Sequence, residues 1–172
     1  MDGLLVGRFQ PFHLGHIASI KDALKLCKRL WLCIGSTNVQ PSLKNPFSVQ
    51  ERRQMIESSL DSELLKRITV YEIPDVDDHK KWLEQLDSIV PAYEIVITKD
   101  PILEHLYSHR RENIVDISFV DRERLCGTKI REMILSNKDW RKYVPKGTTS
   151  ILDKINAVDR LNKLVTKGTV QS

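Results

Sequence analysis

The sequence has no apolar run that approaches the ~20 residues of a membrane-spanning helix. No secretory leader pattern follows Met1, so we expect a cytoplasmic protein without a membrane partner. Cysteine is scarce: the chain has three, without C-x-x-C spacing. This argues against a disulfide framework and suits a reducing cytosol.

Aromatic residues are also few, at 6% of the chain, and the basic residues are interleaved with acidic ones. A nucleic-acid-binding protein usually shows clustered basic and aromatic residues, so we expect no nucleic-acid partner. The net charge of +4 is too small to separate an anion-binding protein from an inert surface. No repeat or linker divides the chain, and we predict a single domain over residues 1–172.

Short apolar segments alternate with amphipathic ones along the chain. The apolar segments predict buried strands at residues 4–6, 30–36, 68–73, 94–98 and 114–120. Ser48 and Glu51 have the spacing of a capping box, which predicts a helix from there to about Leu60. Alternating strands and helices predict a Rossmann-like α/β fold: a doubly wound parallel sheet of about five strands with helices on both faces. The apolar spacing near the end of the chain predicts one C-terminal amphipathic helix over about residues 150–165.

A loop with one arginine and two histidines follows the first predicted strand, which ends at Gly7. A helix is predicted next, so Arg8, His13 and His16 lie where free N–H groups and the helix dipole favour phosphate. Histidines can donate hydrogen bonds to phosphate and, when protonated, offset charge that builds up during transfer. Gly15 leaves room for a bulky group. A pair of surface histidines that cap a helix and a zinc pair with further ligands remain alternatives on these residues alone.

A second segment suited to phosphate is C-G-T-K-I-R at residues 126–131. Thr128 is predicted as the N-cap of a helix, and Arg131 lies three residues on, near the same helix face. A helix N-terminus followed by an arginine suits a triphosphate. A plain capped surface helix is the alternative for this segment.

The string G-R-F-Q-P-F-H-L-G-H at residues 7–16 resembles the signature of the nucleotidyltransferase superfamily, whose hallmark is H-x-G-H. More narrowly, it resembles the archaeal-type nicotinamide-nucleotide adenylyltransferases, which make NAD from ATP and nicotinamide mononucleotide (NMN). Residues 126–131 resemble the second signature of the superfamily, with Cys126 where serine is usual. Residues 140–145 and 155–160 also resemble the subfamily, so the likeness covers nearly the whole chain.

The resemblance implies attack by the NMN phosphate on the α-phosphate of ATP, with pyrophosphate as the leaving group. It needs no catalytic base, because the attacking oxygen is already anionic. The implied catalytic residues all contact phosphate and are Arg8, His13, His16, Lys44 and Arg131. His16 and Arg8 are expected at the α-phosphate, Lys44 at the acceptor phosphate, and the others with Thr128 at the β- and γ-phosphates. The implied cofactor is Mg²⁺ that bridges ATP phosphates, with no metal ligand from the protein.

The residues implied to bind the two nucleotides lie mainly at predicted strand ends: Gly7, Phe9, Gly35, Ser36, Asp75, Val76, Trp82, Thr98, Lys99, Asp100, Gly127 and Thr128. Asp75, Val76 and Trp82 resemble the segment that holds the nicotinamide ring and its ribose, where an indole can stack on the charged ring. A core tryptophan is the alternative. Lys99 stands where the subfamily usually has glycine beside the adenine, and His79 where it often has asparagine.

Three alternative functions remain open on the sequence. The chain could be a cytidylyltransferase, another adenylyltransferase with a different phosphate acceptor, or a non-catalytic nucleotide sensor. The expected partners are the small molecules ATP and NMN. The resemblance also implies a homo-oligomer, for which the predicted C-terminal helix offers a contact surface.

Overall fold

The computed structural model describes residues 1–117 and 125–170. Its contacts divide the chain into two compact units. Unit 1 consists of Met1–Arg8, Ala18–Asn38 and Ser62–Phe119, and unit 2 of Phe9–Ile17, Val39–Asp61 and Val120–Ser172. No helix in the described part of the chain is long and apolar enough to cross a membrane.

The strands of the sheet all lie in unit 1 and are short. They are β1 (Asp2–Gly7), β2 (Arg29–Ile34), β3 (Ile68–Glu72), β4 (Ile95–Ile97) and β5 (Asn113–Val115). Their order in the sheet is β3-β2-β1-β4-β5, and every neighbouring pair is parallel. The expected five-stranded parallel α/β fold is therefore confirmed.

The described helices are α1 (Leu14–Leu26), α2 (Val49–Ser59), α3 (Ser62–Leu65), α4 (His79–Ile89), α5 (Pro101–Tyr107), α6 (Gly127–Leu135), α7 (Lys146–Lys154) and α8 (Ala157–Val170). A short 3₁₀ helix at Arg141–Tyr143 follows α6. The predicted C-terminal helix was wrong as a single element. The chain breaks between α7 and α8 at Asn156, which has a φ of 50°, a left-handed conformation that ends a helix and that asparagine tolerates better than most residues.

Helices cover both faces of the sheet within unit 1. Consecutive side chains of a strand point to opposite faces of the sheet, so Leu4 and Leu5 of β1 pack on different faces. Leu4 belongs to the cluster to which α4 and α5 contribute their buried side chains. On the other face, a Cβ at Gly3 would lie 2.9 Å from the Cys27 Sγ, so the chain just after α1 lies against β1.

The carboxyl ends of the parallel strands meet at one edge of the sheet. The Gly35 N–H donates to the Gly7 carbonyl at 2.9 Å, which joins the residues that follow β2 to the end of β1. The fifth strand is shorter than predicted: it ends at Val115, and residues 118–120 of the prediction lie outside the described residues. This edge carries most of the residues expected to bind nucleosides.

Unit 2 begins its first long helix with the predicted capping box, which is confirmed. The Ser48 Oγ accepts from the Glu51 N–H at 3.2 Å, and the Glu51 carboxylate accepts from the Ser48 N–H at 2.9 Å. Helix α7 packs closely on α2, because a Cβ at Gly147 would lie 2.5 Å from the Ser58 carbonyl.

Candidate active site

The histidine loop (residues 9–16) lies in unit 2 and fixes the orientation of its second imidazole. The His13 carbonyl accepts from the His16 N–H at 3.0 Å at the start of α1. The His13 N–H in turn donates to the His16 Nδ1 at 3.1 Å. Because Nδ1 is an acceptor, a neutral His16 carries its proton on Nε2. The loop therefore presents a hydrogen-bond donor from a fixed ring.

The two imidazoles are stacked, with ring centroids 3.6 Å apart. Phe12 also stacks on His16, at 5.5 Å, and the buried Phe9 meets it edge-on at 4.7 Å. Phe9 has a φ of 54°, a strained conformation of the kind often found at functional sites. Aromatic rings thus surround the imidazole that was expected to contact the α-phosphate.

Burial keeps both imidazoles neutral at physiological pH. It lowers the pKa of His13 from 6.5 to about 4. Burial, reinforced by the adjacent His13, lowers the pKa of His16 well below 6.5. In the free protein the two imidazoles are therefore expected to act as neutral hydrogen-bond donors.

His13 has one ring atom without a partner. Its side chain is 4% exposed, and Nδ1 makes no hydrogen bond to any described residue. A Cβ at Gly15 would lie 3.0 Å from that ring and 3.2 Å from the Leu125 Cβ, so only glycine fits here without a shift. A buried polar atom without a partner is costly, and a bound ligand can supply one.

Helix α6 begins two residues earlier than the predicted cap at Thr128 required. Cys126 is the N-cap and makes no side-chain hydrogen bond to the first turn, so Thr128 lies inside the helix and its prediction as N-cap was wrong. A thiol is a weak acceptor, and the first-turn N–H groups receive no side-chain cap. They remain suited to an anion.

Arg131 ties α6 to the histidine loop. Its Nη1 donates to the Gln10 carbonyl at 2.6 Å, and its Nη2 lies 3.4 Å from the Thr128 Oγ1. A Cβ at Gly127 would lie only 2.8 Å from the same carbonyl. The structure therefore brings together the two segments that the sequence predicted to contact phosphate.

Lys44 lies at the tip of a tight turn. Hydrogen bonds in both directions join Ser42 and Asn45 across this turn, at 3.1 and 3.3 Å. Lys44 is exposed and makes no ion pair with any described residue. The turn belongs to the lysine loop (residues 39–47), which leads into α2.

Gln10 was missed as a functional candidate, although it lies within the signature string. Its side-chain amide donates to the Phe47 carbonyl and accepts from the Phe47 N–H, both at 3.0 Å. Gln10 is 4% exposed, so a buried amide joins the histidine loop to the end of the lysine loop. Only the unusual placement of a polar residue between Phe9 and Pro11 hinted at this role.

Arg160 fastens the lysine loop from α8. Its Nη1 donates to the Glu51 carboxylate at 2.6 Å and to the Pro46 carbonyl at 3.3 Å. Nothing in the sequence indicated a role for Arg160 beyond its place in a segment that resembles the subfamily. Its partner Glu51 could not be identified from the sequence, because the two residues are 109 positions apart.

The candidates for the nicotinamide half lie in unit 1. Val76 is 37% exposed and its main-chain groups have no hydrogen-bond partner among the described residues. Trp82 is half-buried and packs against the core cluster of unit 1. Both interpretations of this tryptophan thus have support: it contributes to the core and keeps an exposed part.

The candidates for the adenine half follow β4. The Thr98 Oγ1 accepts from the Asp100 N–H at 3.0 Å, and Asp100 caps α5 through the Ile102 N–H at 2.9 Å. Lys99 keeps a negative φ and pairs with Asp116 at 3.0 Å. The lysine therefore fits where the subfamily usually has glycine.

Four further candidates also lie at strand ends in unit 1. Gly7 and Gly35 are joined by their hydrogen bond, Ser36 has a φ of 52°, and Arg8 is exposed. The ligand contacts predicted for all these residues stay predictions.

The described residues contain no group of three or more histidine, cysteine, aspartate or glutamate side chains that could hold a metal ion. The zinc interpretation of the histidine pair therefore finds no further ligands in this part of the chain. The imidazoles of the histidine loop and the guanidinium of Arg131 can donate hydrogen bonds to phosphate.

A parallel sheet of this order with an H-x-G-H loop after its first strand defines an α/β nucleotidyltransferase. The chain belongs to the cytidylyltransferase-like family, whose model matches residues 4–150. A relative from Thermoplasma volcanium, named nicotinamide-nucleotide adenylyltransferase, is 30% identical over 162 residues, or 94% of this chain and 91% of the relative. The resemblance inferred from the signature strings is therefore confirmed.

Solved structures show the same fold. A bifunctional NMN adenylyltransferase/ADP ribose pyrophosphatase from Francisella tularensis aligns with a TM-score of 0.83 at 24% identity. The alignment covers 98% of this chain and 53% of the other, so this chain spans about half the length of that protein. A second structure of the Francisella protein, complexed with AMP and a manganese ion, aligns with a TM-score of 0.79.

Proposed function

We propose that this chain joins ATP and NMN to give NAD and pyrophosphate. The observation that carries the proposal is the fixed His16 ring, with its donor Nε2, in the same unit as the uncapped start of α6 and Arg131. The name of the Thermoplasma relative supports this choice among nucleotidyltransferase reactions.

The reaction needs two anions to be held in line and charge to be stabilised on the leaving pyrophosphate. The neutral His16 donates from Nε2 to the α-phosphate, and Arg8 adds charge there. His13, Thr128 and Arg131 contact the β- and γ-phosphates. No general base is required, because the NMN phosphate attacks as an anion.

Lys44 binds the acceptor phosphate in this mechanism. Its exposed position at the tip of the Ser42–Asn45 turn lets the ammonium reach a phosphate, and its lack of an ion pair with any described residue leaves the charge available. Lysine contacts phosphate as a point charge, whereas an arginine would do so with a fork of two donors.

The nucleosides are assigned to the strand-end residues of unit 1. Asp75 and Val76 take the nicotinamide and its ribose, with Trp82 against the ring. Gly35, Ser36 and the segment from Thr98 to Asp100 take the adenosine part. Gly7, Phe9 and Gly127 are further proposed contacts of the nucleotide. The main-chain groups of Val76 have no hydrogen-bond partner among the described residues, which supports this assignment, because a carboxamide offers both a donor and an acceptor.

Mg²⁺ is the proposed cofactor, held by triphosphate oxygens and water. It would neutralise charge on the triphosphate. The Francisella structure complexed with AMP and a manganese ion supports the use of a divalent metal ion.

The deciding experiment offers ATP or CTP with NMN, nicotinate mononucleotide or another phosphate acceptor, and measures pyrophosphate and the nucleotide product. We expect NAD from ATP and NMN as the fastest product. Faster reaction with CTP would favour the cytidylyltransferase alternative. The Lys99–Asp116 ion pair near the end of β4 would then be the first candidate for the cause of the changed base preference. Nucleotide binding without pyrophosphate release would favour a sensor.

A further inference from the structure

The turn at residues 74–76 is held by two side-chain amides that have no assigned role. The Asn38 Oδ1 accepts from the Asp75 N–H at 2.7 Å, and its Nδ2 donates to the Asp75 carbonyl at 3.0 Å. The Gln85 Nε2 donates to the Pro74 carbonyl at 2.8 Å. Two elements of unit 1 therefore fasten this turn, the segment after β2 and helix α4.

These contacts begin where the sheet ends. The last main-chain bond between β2 and the segment after β3 joins the Ile73 N–H to the Ile34 carbonyl at 2.8 Å. Beyond it, Asp75 has no strand partner, and the Asn38 amide supplies one donor and one acceptor as a peptide unit would. The Asn38 amide thus continues the hydrogen bonding of the sheet into the turn.

The second anchor links the turn to the candidate stacking residue. Trp82 and Gln85 are three residues apart on α4 and so lie on neighbouring positions of one helix face. Val76 follows Asp75 directly and is exposed, so any displacement of Asp75 also moves Val76. The two amides set the position of the turn relative to Trp82.

We propose that Asn38 is a positioning residue for the nicotinamide mononucleotide, because it holds the Asp75–Val76 turn in its binding conformation, with Gln85 as the second anchor. This inference rests on the proposed function. Asn38 hydrogen-bonds only to Asp75 among the described residues. Its loss should therefore affect one substrate rather than both.

The experiment measures steady-state kinetics with each substrate varied in turn. In Asn38→Ala we expect the KM for NMN to rise about 5–10-fold, with kcat and the KM for ATP within about twofold of the wild type. Asn38→Asp should raise the KM for NMN at least as much, because a carboxylate cannot donate to the Asp75 carbonyl. Gln54→Ala, an exposed amide on α2, is the matched control and should change neither constant.

A measurement independent of turnover accompanies the kinetics. The amide proton of Asp75 should exchange faster in Asn38→Ala than in the wild type, whereas that of Ile73 should be unchanged. Unchanged exchange at Asp75, or an equal rise in the KM for both substrates, would overturn the positioning role. Wild-type protein that forms no NAD would overturn the proposed function itself, and that result is visible before any variant is compared.

Discussion

His16 is the residue on which the proposed chemistry depends most directly. Its ring is fixed through Nδ1, so Nε2 is the only donor it can offer to a phosphate. His16→Ala should lower kcat by about 10²–10³-fold, the usual cost of losing one preorganised donor. The measurement is the rate of pyrophosphate release at saturating substrates.

His16→Gln is the matched variant, because a glutamine amide can place a donor near the position of Nε2. We expect it to recover part of the activity that alanine loses. Turnover of His16→Ala close to that of the wild type would contradict the assignment.

His13 makes the stability of the protein depend on pH. Its pKa is lowered from 6.5 to about 4 by burial, so between these values the unfolded chain binds more protons than the folded one. The stabilising contribution of neutral His13 to the free energy of unfolding should therefore be fully present above pH 6.5. It should fall as the pH is lowered toward 4, by up to about 1.4 kcal/mol per pH unit. Urea unfolding at several pH values measures the slope.

His13→Gln should make that slope shallower but leave the part that comes from His16, whereas His109→Gln, at an exposed position, should leave it unchanged. An equal slope in the wild type and in His13→Gln would show that this imidazole is not the source of the pH dependence.

Glycine is required at position 127 because other atoms approach its backbone closely, not because the chain needs the conformational freedom of glycine there. A Cβ at Gly127 would meet the Gln10 carbonyl at 2.8 Å and the Arg131 Nη1 at 3.0 Å. Gly127→Ala should therefore shift the helix, lower the free energy of unfolding by about 1–3 kcal/mol and raise the KM for ATP. Thermal unfolding and kinetics measure the two effects.

Gly168 on α8 provides the control, because nothing lies within 4 Å of a Cβ there. Gly168→Ala should be neutral or stabilise the protein by up to about 1 kcal/mol, since alanine favours a helix. A loss of stability as large in Gly168→Ala as in Gly127→Ala would contradict the steric explanation.

The strands and the capped helix α2 could be predicted because their signals are local. Runs of β-branched and apolar residues identify buried strands, and Ser48 with Glu51 specifies a helix start within four residues. The break at Asn156 could not be predicted, because an apolar helical spacing continues across it. The Gln10–Phe47 and Arg160–Glu51 contacts join residues far apart in sequence, and nothing in either segment identifies the partner.

The family and its reaction could be read from two short strings, because few chemistries need that spacing of histidines, glycine and arginine. What the strings left open is the protonation of the imidazoles, since burial sets their pKa and is a property of the folded chain. The single domain, self-association and a cytoplasmic location stay predictions.

The free energy of unfolding of the whole molecule should be raised more by the triphosphate part of ATP than by its nucleoside. Most side chains proposed to contact ATP are donors to phosphate, and a ligand that binds only the folded state raises the free energy of unfolding by about 2.7 kcal/mol at 100 times its Kd. A non-transferable ATP analogue at that level should raise Tm by roughly 5–10 °C. Inorganic triphosphate alone should give a substantial part of this shift and adenosine little.

Arg131→Ala should abolish most of the shift with triphosphate, whereas Lys138→Ala, at an exposed position after α6, should retain it. Because Arg131 also holds the Gln10 carbonyl, each variant is compared with and without ligand, so that any loss of intrinsic stability cancels. A full shift with adenosine and none with triphosphate would mean that the histidine loop and α6 do not bind phosphate. The reaction proposed for the chain would then lose its physical basis, because the phosphates are where the bonds form and break.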